Sequence, residues 1–142
     1  MVHTLAPRIR RFEPEDLEEI LEIEKHAFPK TPYPGEVFKY YARRPETIFI
    51  VAEIDCSVVG YLIMEKDGHI ISTAVSPGHR RKGIGKSLYR YAAGGAGQKL
   101  WLEVRSKNTG AISFYRAMGM KITGVSENYY GDDDALIMSA ED

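Results

Sequence analysis

At 142 residues, with 44% hydrophobic and 27% charged side chains, the chain has the size and composition of one globular domain with a core of its own. A formal net charge of −1 leaves no global field to recruit nucleic acid or an anionic membrane, and no stretch is apolar and long enough to span a bilayer. The single cysteine, Cys56, rules out an internal disulfide and fits a reducing, cytoplasmic setting.

One domain is expected over residues 1–142, with 1–6 and 140–142 loose and no repeat or linker. Arg8-Ile9-Arg10-Arg11-Phe12 alternates and predicts a first strand. Pro14 stands at a first helical position, with Glu15 and Asp16 near the positive end of the helix dipole. The helix that follows has Leu17, Ile20, Leu21, Ile23 and Phe28 as its apolar stripe, and Glu18, Glu19, Glu22 and Lys25 as its solvated side. Prolines at 29, 32 and 34 then bar helix continuation and make Phe28–Gly35 a stiff, extended loop. A second short helix runs from Glu36 to Arg44.

Thr47–Ile54 and Val58–Met64 predict a hairpin around Asp55-Cys56, and Asp67-Gly68 a second turn leading into a strand over His69–Val75. Ile84, Leu88 and Tyr91 follow helical spacing, and that helix is expected to fail at Gly94-Gly95 or Gly97. Leu100–Val104 reads as a buried strand, Asn108–Met118 as a helix, and residues 120–127 and 134–138 as two further strands. Between those two lies a polar, aromatic loop, Asn128 to Asp134. This order defines an α/β, or α+β, layered domain.

The densest chemistry lies between Val75 and Leu88, where a strand gives way to Ser-Pro-Gly, then His79-Arg80-Arg81-Lys82, then Gly83-Ile84-Gly85 and a helix. Glycines let the main chain approach an anion, and the helix start aims N–H groups and a dipole at it, so the segment predicts a pyrophosphate cradle. It is neither of two better-known phosphate loops. The dinucleotide fingerprint needs a third glycine where Leu88 stands, and the Walker A loop needs its first glycine where Arg80 stands, although Gly85-Lys86-Ser87 fits its end.

Arg80, Gly83 and Gly85 match the Arg/Gln-x-x-Gly-x-Gly/Ala signature of the GCN5-related N-acetyltransferases (GNAT), which the chain resembles. A second block, Leu102-Glu103-Val104-Arg105 through Asn108, Ala111-Ile112 and Tyr115 to Met118-Gly119-Met120, resembles the branch that acetylates protein N-termini, including the ribosomal-protein alanine acetyltransferases. The resemblance runs from about Ile9 to Met138. It implies a mixed, mostly antiparallel sheet splayed near its middle, with acetyl-CoA in the split as co-substrate and no metal. No metal constellation is visible either, since the four histidines share no ligand spacing.

The resemblance further implies that Arg80, Arg81, Lys82, Gly83, Ile84, Gly85 and Lys86 receive the pyrophosphate. Ala74, Val75 and Asn108 would hold the pantetheine arm, although an asparagine there equally reads as a helix N-cap. Tyr115 would protonate the departing thiolate, and its bland alternative is a core tyrosine. Glu103 would be the general base. A carboxylate in an apolar strand must otherwise be paired, with Arg105 or another cation. Phe28, Pro29 and Tyr33, with Tyr129 and Tyr130, would contact the acceptor, a protein N-terminus. A small amine of the polyamine or antibiotic type, or a lysine side chain, is the alternative. Nucleic-acid and membrane partners are not expected, and monomer and homodimer both stay open.

Overall fold

The computed structural model describes residues 6–96 and 99–140. Seven strands and four helices follow in the order β1 (Arg8–Arg11), α1 (Leu17–Ala27), α2 (Gly35–Ala42), β2 (Ile48–Ile54), β3 (Ser57–Met64), β4 (Ile70–Val75), α3 (Ile84–Gly95), β5 (Trp101–Arg105), α4 (Thr109–Ala117), β6 (Met120–Ser126) and β7 (Ala135–Ala140). Single 3-10 turns at Pro14–Asp16 and Pro77–His79 lead into α1 and α3.

Local chemistry accounts for the hairpins. Asp55 and Cys56 both take positive φ, 49° and 66°, as a two-residue turn with the twist of its flanking strands requires. β1, β2, β3 and β4 form one antiparallel half-sheet, and β5, β7 and β6 another. The halves meet at a single parallel bridge, His69 to Trp101, where the Trp101 N–H also donates to the Gly68 carbonyl at 3.0 Å. Gly68 has φ 91°, and a Cβ there would sit 2.1 Å from the Lys99 carbonyl oxygen, so the junction admits only glycine. Beyond it β4 and β5 share no further bridge among the described residues, and the sheet opens.

The core is divided between the two faces of that sheet. On one, Ile84, Leu88 and Ala92 of α3 and Ile112 and Tyr115 of α4 pack on Val59, Leu62, Leu102, Val104 and Met138. On the other, Ile20 and Ile23 of α1 and Phe38 of α2 pack on Phe49, Val51, Tyr61 and Ile63. Ile20, Phe38 and Leu88 are fully buried, and each such side chain contributes about 1.5–3 kcal/mol relative to exposure. Arg10 joins β1 to both Glu53 of β2 and Asp16 before α1. Burial alone would raise the Asp16 carboxyl, but the Arg10 guanidinium and the Glu13 N–H hold it below the usual carboxylate range.

The structure corrects two expectations. Tyr91 is 53% exposed, and Tyr89 is buried instead, because the inward stripe of α3 is Ile84, Leu88, Tyr89 and Ala92. Ala140 is not part of a loose tail: it lies opposite Met120 at the end of β7, and its N–H donates to the Leu100 carbonyl at 2.8 Å. Glu24, on the same helix as Glu18, Glu19 and Glu22, is 1% exposed. Residues 1–5 and 141–142, expected to be loose, and Gly97, a candidate helix stop, lie outside the described residues.

Candidate functional site

The cationic loop expected to take a pyrophosphate connects β4 to α3 on one lip of the opening. After the 3-10 turn, Arg80 is extended, Arg81 takes φ 63° and Gly83 φ 80°. Gly83 is the N-cap of α3, and no side chain caps that helix, so its first-turn N–H groups face outward unclaimed by side chains. Arg81, Lys82 and Lys86 are exposed beside them, and no described acidic group is paired with them or with Arg80. The Arg80 Nε donates to the Val75 carbonyl, at 3.3 Å. Open amides, a positive dipole end and unneutralised cations fit a pyrophosphate.

The lip itself is the free edge of β4. The Ser76 N–H reaches the Val59 carbonyl, and β3–β4 pairing is regular from Ser72 to Val75. Strand alternation therefore commits the Ala74 backbone to β3 and turns the Thr73 and Val75 backbone groups toward the opening. Of the two residues expected to pair with a pantetheine arm, Val75 has the orientation and Ala74 does not. The Thr73 backbone is turned the same way as that of Val75. Asn108 is the N-cap of α4, its Oδ1 accepting from the Ala111 N–H at 3.1 Å, which leaves its amide nitrogen outside the cap.

Across the opening, β5 alternates. Leu102 and Val104 enter the α3–α4 core, and Glu103 faces the other side, toward the α1–α2 and β6–β7 loops. Its partner is not Arg105 but His69, whose Nε2 lies 2.9 Å from Oε2. The His69 ring is stacked on Trp101 at 3.9 Å and 7°, and its Nδ1 stands 3.7 Å from Glu65. Arg105 turns away, pairing with Asp132 at 2.7 Å and covering the Tyr130 ring at 4.2 Å. Tyr115 lies on the opposite face from Glu103, buried in the core and in edge contact with Phe114. Burial, with a smaller effect of Tyr89, pushes its hydroxyl well above the ordinary tyrosine range.

The tyrosines expected at the acceptor side converge. Burial first and then the nearby Glu103 charge push Tyr130 up to about 12. Tyr33 is raised by burial and by the charges of Glu24, Tyr129 and Glu103. Tyr129 is 57% exposed and packs edge-on to Tyr130 at 4.9 Å. Phe28, half-buried, and Pro29, exposed, stand at the end of α1 without ring contact to these tyrosines among the described residues.

Sequence reasoning missed His69, Glu24 and Asp133. Asp133 ties the β6–β7 loop to the start of α4, accepting from the Ser106 hydroxyl and the Lys107 N–H, and so fixes the base on which Tyr130 stands. A run of three aspartates carried no signal as to which one turns inward.

A sheet opened at its centre, with a helix start uncapped by side chains and flanked by cations on one lip, is an arrangement that fits the pyrophosphate and thioester arm of a coenzyme A derivative. The chain belongs to the Acetyltransferase (GNAT) family, whose sequence model matches residues 15–120, and it is an acetyl-CoA-dependent N-acyltransferase. It is 33% identical to an N-alpha-acetyltransferase of Sulfurisphaera tokodaii, over 94% of this chain and 92% of that one. Two solved structures share its fold. The ribosomal-protein-S18-alanine N-acetyltransferase of Escherichia coli superposes with TM-score 0.82 at 26% identity, covering 95% of this chain and 93% of its own. Ard1 of Thermoplasma volcanium superposes with TM-score 0.84 at 29% identity, covering 97% and 100%. Among the described residues no group of His, Cys, Asp and Glu could hold a metal ion, and no helix is long and apolar enough to cross a membrane.

Proposed function

We propose that the acceptor is the α-amino group of a protein N-terminus, with Glu103 as general base and Tyr115 as general acid. The observation that carries this reading is the placement of Glu103 within the electrostatic reach of Tyr33 and Tyr130, on loops from opposite ends of the chain. A tyrosine offers a rigid apolar body and a hydroxyl for main-chain carbonyls, so two of them around a carboxylate suit a short extended peptide ending in an amine.

In this scheme Glu103, assisted by His69 or a water, removes the amine proton, and the neutral nitrogen attacks the acetyl carbonyl. The C–S bond then breaks and the sulfur leaves with the electron pair, taking the Tyr115 hydroxyl proton. The nitrogen gives its remaining excess proton to water as the amide forms, and solvent returns a proton to the tyrosinate. Base and acid stand on opposite faces of the sheet, with the opening between them, so one proton leaves on the side where the amine arrives. The other is delivered on the side of the thiol. The Thr73 and Val75 main chain and the Asn108 amide hold the pantetheine arm, while the start of α3 holds the pyrophosphate.

Acid–base economy favours an α-amine over a lysine. With pKa values of ~7.7–8.0 against ~10.4, about 300 times more of an α-amine is neutral at pH 7. One carboxylate backed by one imidazole is matched to that smaller task. The relatives named for N-alpha and ribosomal-protein alanine acetylation agree in class.

Two results test the reading. Tyr33→Ala and Tyr130→Ala are expected to raise the KM for a free N-terminal peptide by about tenfold, with acetyl-CoA affinity unchanged. Gly83→Glu places a side chain at φ 80° and a negative charge in the cradle. Acetyl-CoA at 100 times its native Kd stabilises the wild-type fold by ~2.7 kcal/mol, and the variant is expected to lose most of that shift in Tm. Equal shifts in two folded proteins would overturn the cradle.

A further inference from the structure

We propose that Glu24 is a positioning residue for the peptide acceptor. It fixes the α1–α2 loop over the opening by hydrogen bonds that run from β3 and β4 through its carboxylate to the Tyr33 backbone. This rests on the reading that Tyr33 and its loop contact the peptide.

Glu24 lies one turn after Ile20 on the inward stripe of α1, where an aliphatic side chain would serve packing better. Burial of a carboxylate costs free energy unless its oxygens are satisfied. One oxygen accepts from the Tyr61 hydroxyl of β3 in a short contact and from the Ser72 hydroxyl of β4 at 3.4 Å. The other accepts from the Tyr33 N–H at 2.9 Å, nine residues further along the chain. With the Tyr61 proton committed to Glu24, the one Ser72 proton is shared between that carboxylate oxygen and the Tyr61 hydroxyl oxygen 3.0 Å away, so the anchor is braced on two strands. No cation pairs with Glu24 among the described residues.

Tyr33 lies in a segment with prolines at 29, 32 and 34, a stiff strap with few N–H groups of its own to bind with. Ser72 is three residues before Val75, on the strand that forms the lip of the opening. Glu24 therefore joins the strap carrying Phe28, Pro29 and Tyr33 to the strand against which the thioester is held. Its loss lets the strap shift relative to β4 and leaves the cradle at the start of α3 untouched.

The test is steady-state kinetics of Glu24→Ala and Glu24→Gln, with a free N-terminal peptide varied at fixed acetyl-CoA and the reverse, together with hydrogen exchange at the Tyr33 amide. Glu24→Ala is expected to raise peptide KM about tenfold or more, keep kcat and the acetyl-CoA KM within about threefold, and speed exchange at Tyr33. Glu24→Gln is expected to restore peptide KM to within about threefold, since its carbonyl oxygen accepts from Tyr33 and its NH2 donates to the Tyr61 oxygen. If Glu24→Ala fails to fold, Tyr61→Phe removes only one brace and is expected to raise peptide KM with kcat spared. The proposal is overturned if Glu24→Ala keeps the wild-type peptide KM, if both KM values and kcat worsen together, or if Glu24→Gln is as impaired as Glu24→Ala. A wild-type enzyme that ignores free N-termini overturns the peptide reading and this proposal together. A wild-type enzyme that acetylates them, beside an unimpaired Glu24→Ala, overturns the role of Glu24 alone.

Discussion

Glu103→Gln is expected to lower turnover of a peptide N-terminus by about 10²- to 10⁴-fold at neutral pH, the range typical of a lost general base. The carboxamide keeps the size of the side chain and an oxygen that can accept from His69, now at 2.9 Å, so peptide and acetyl-CoA KM values stay near wild type. What it loses is the ability to take a proton. Above the amine pKa of ~8, solvent supplies the neutral nucleophile and the deficit narrows, so the variant's rate climbs with pH more steeply than that of wild type. A pH–rate profile from 6 to 9 decides the matter: equal rates across it would remove Glu103 as base.

Tyr115→Phe is expected to lower kcat by a comparable factor, about 10²-fold or more, while acetyl-CoA affinity is kept. The phenyl ring preserves the contact with Phe114 and the fit among Ile112, Leu102 and Val104, so the fold survives the change. Because burial raises the hydroxyl well above its ordinary range, Tyr115 stays protonated throughout pH 6–9 and gives the wild-type profile no alkaline limb in that window. The departing thiolate is the conjugate base of a thiol with pKa of about 8.5, and without a donor at hand it must leave as the anion. An acceptor amide formed at the wild-type rate by Tyr115→Phe would assign the proton to solvent.

What the sequence revealed and what it hid separate along the range of the interactions. The strand, cationic turn and helix between Val75 and Leu88 were legible because they are contiguous, and the observed α3 starts at Ile84 with Gly83 as its cap. The hairpins were legible from Asp55-Cys56 and Asp67-Gly68, since turn chemistry is local. The pair formed by Glu103 and His69 was not, because 34 residues separate them and a parallel bridge at the centre of the sheet brings them together. Arg105, the nearest cation in sequence, was the natural partner to expect, but strand geometry sends it to Asp132 and Tyr130 instead. Glu24 was hidden by composition: α1 has four glutamates, and only the phase of the helix relative to the sheet decides which one enters the core. Ala74 shows the same limit on a finer scale, since which of two adjacent residues faces the opening depends on β3–β4 register.

Acetyl transfer to a protein N-terminus is tested by competition among three kinds of amine. Purified enzyme is given acetyl-CoA with equimolar free N-terminal peptide lacking lysine, N-blocked peptide bearing internal lysines, and spermidine. Products are followed by mass spectrometry at pH 7. The α-amino group is expected to be acetylated first, and the blocked lysine peptide and spermidine much more slowly. Robust acetylation of lysine or spermidine, with none at the free N-terminus, would contradict it.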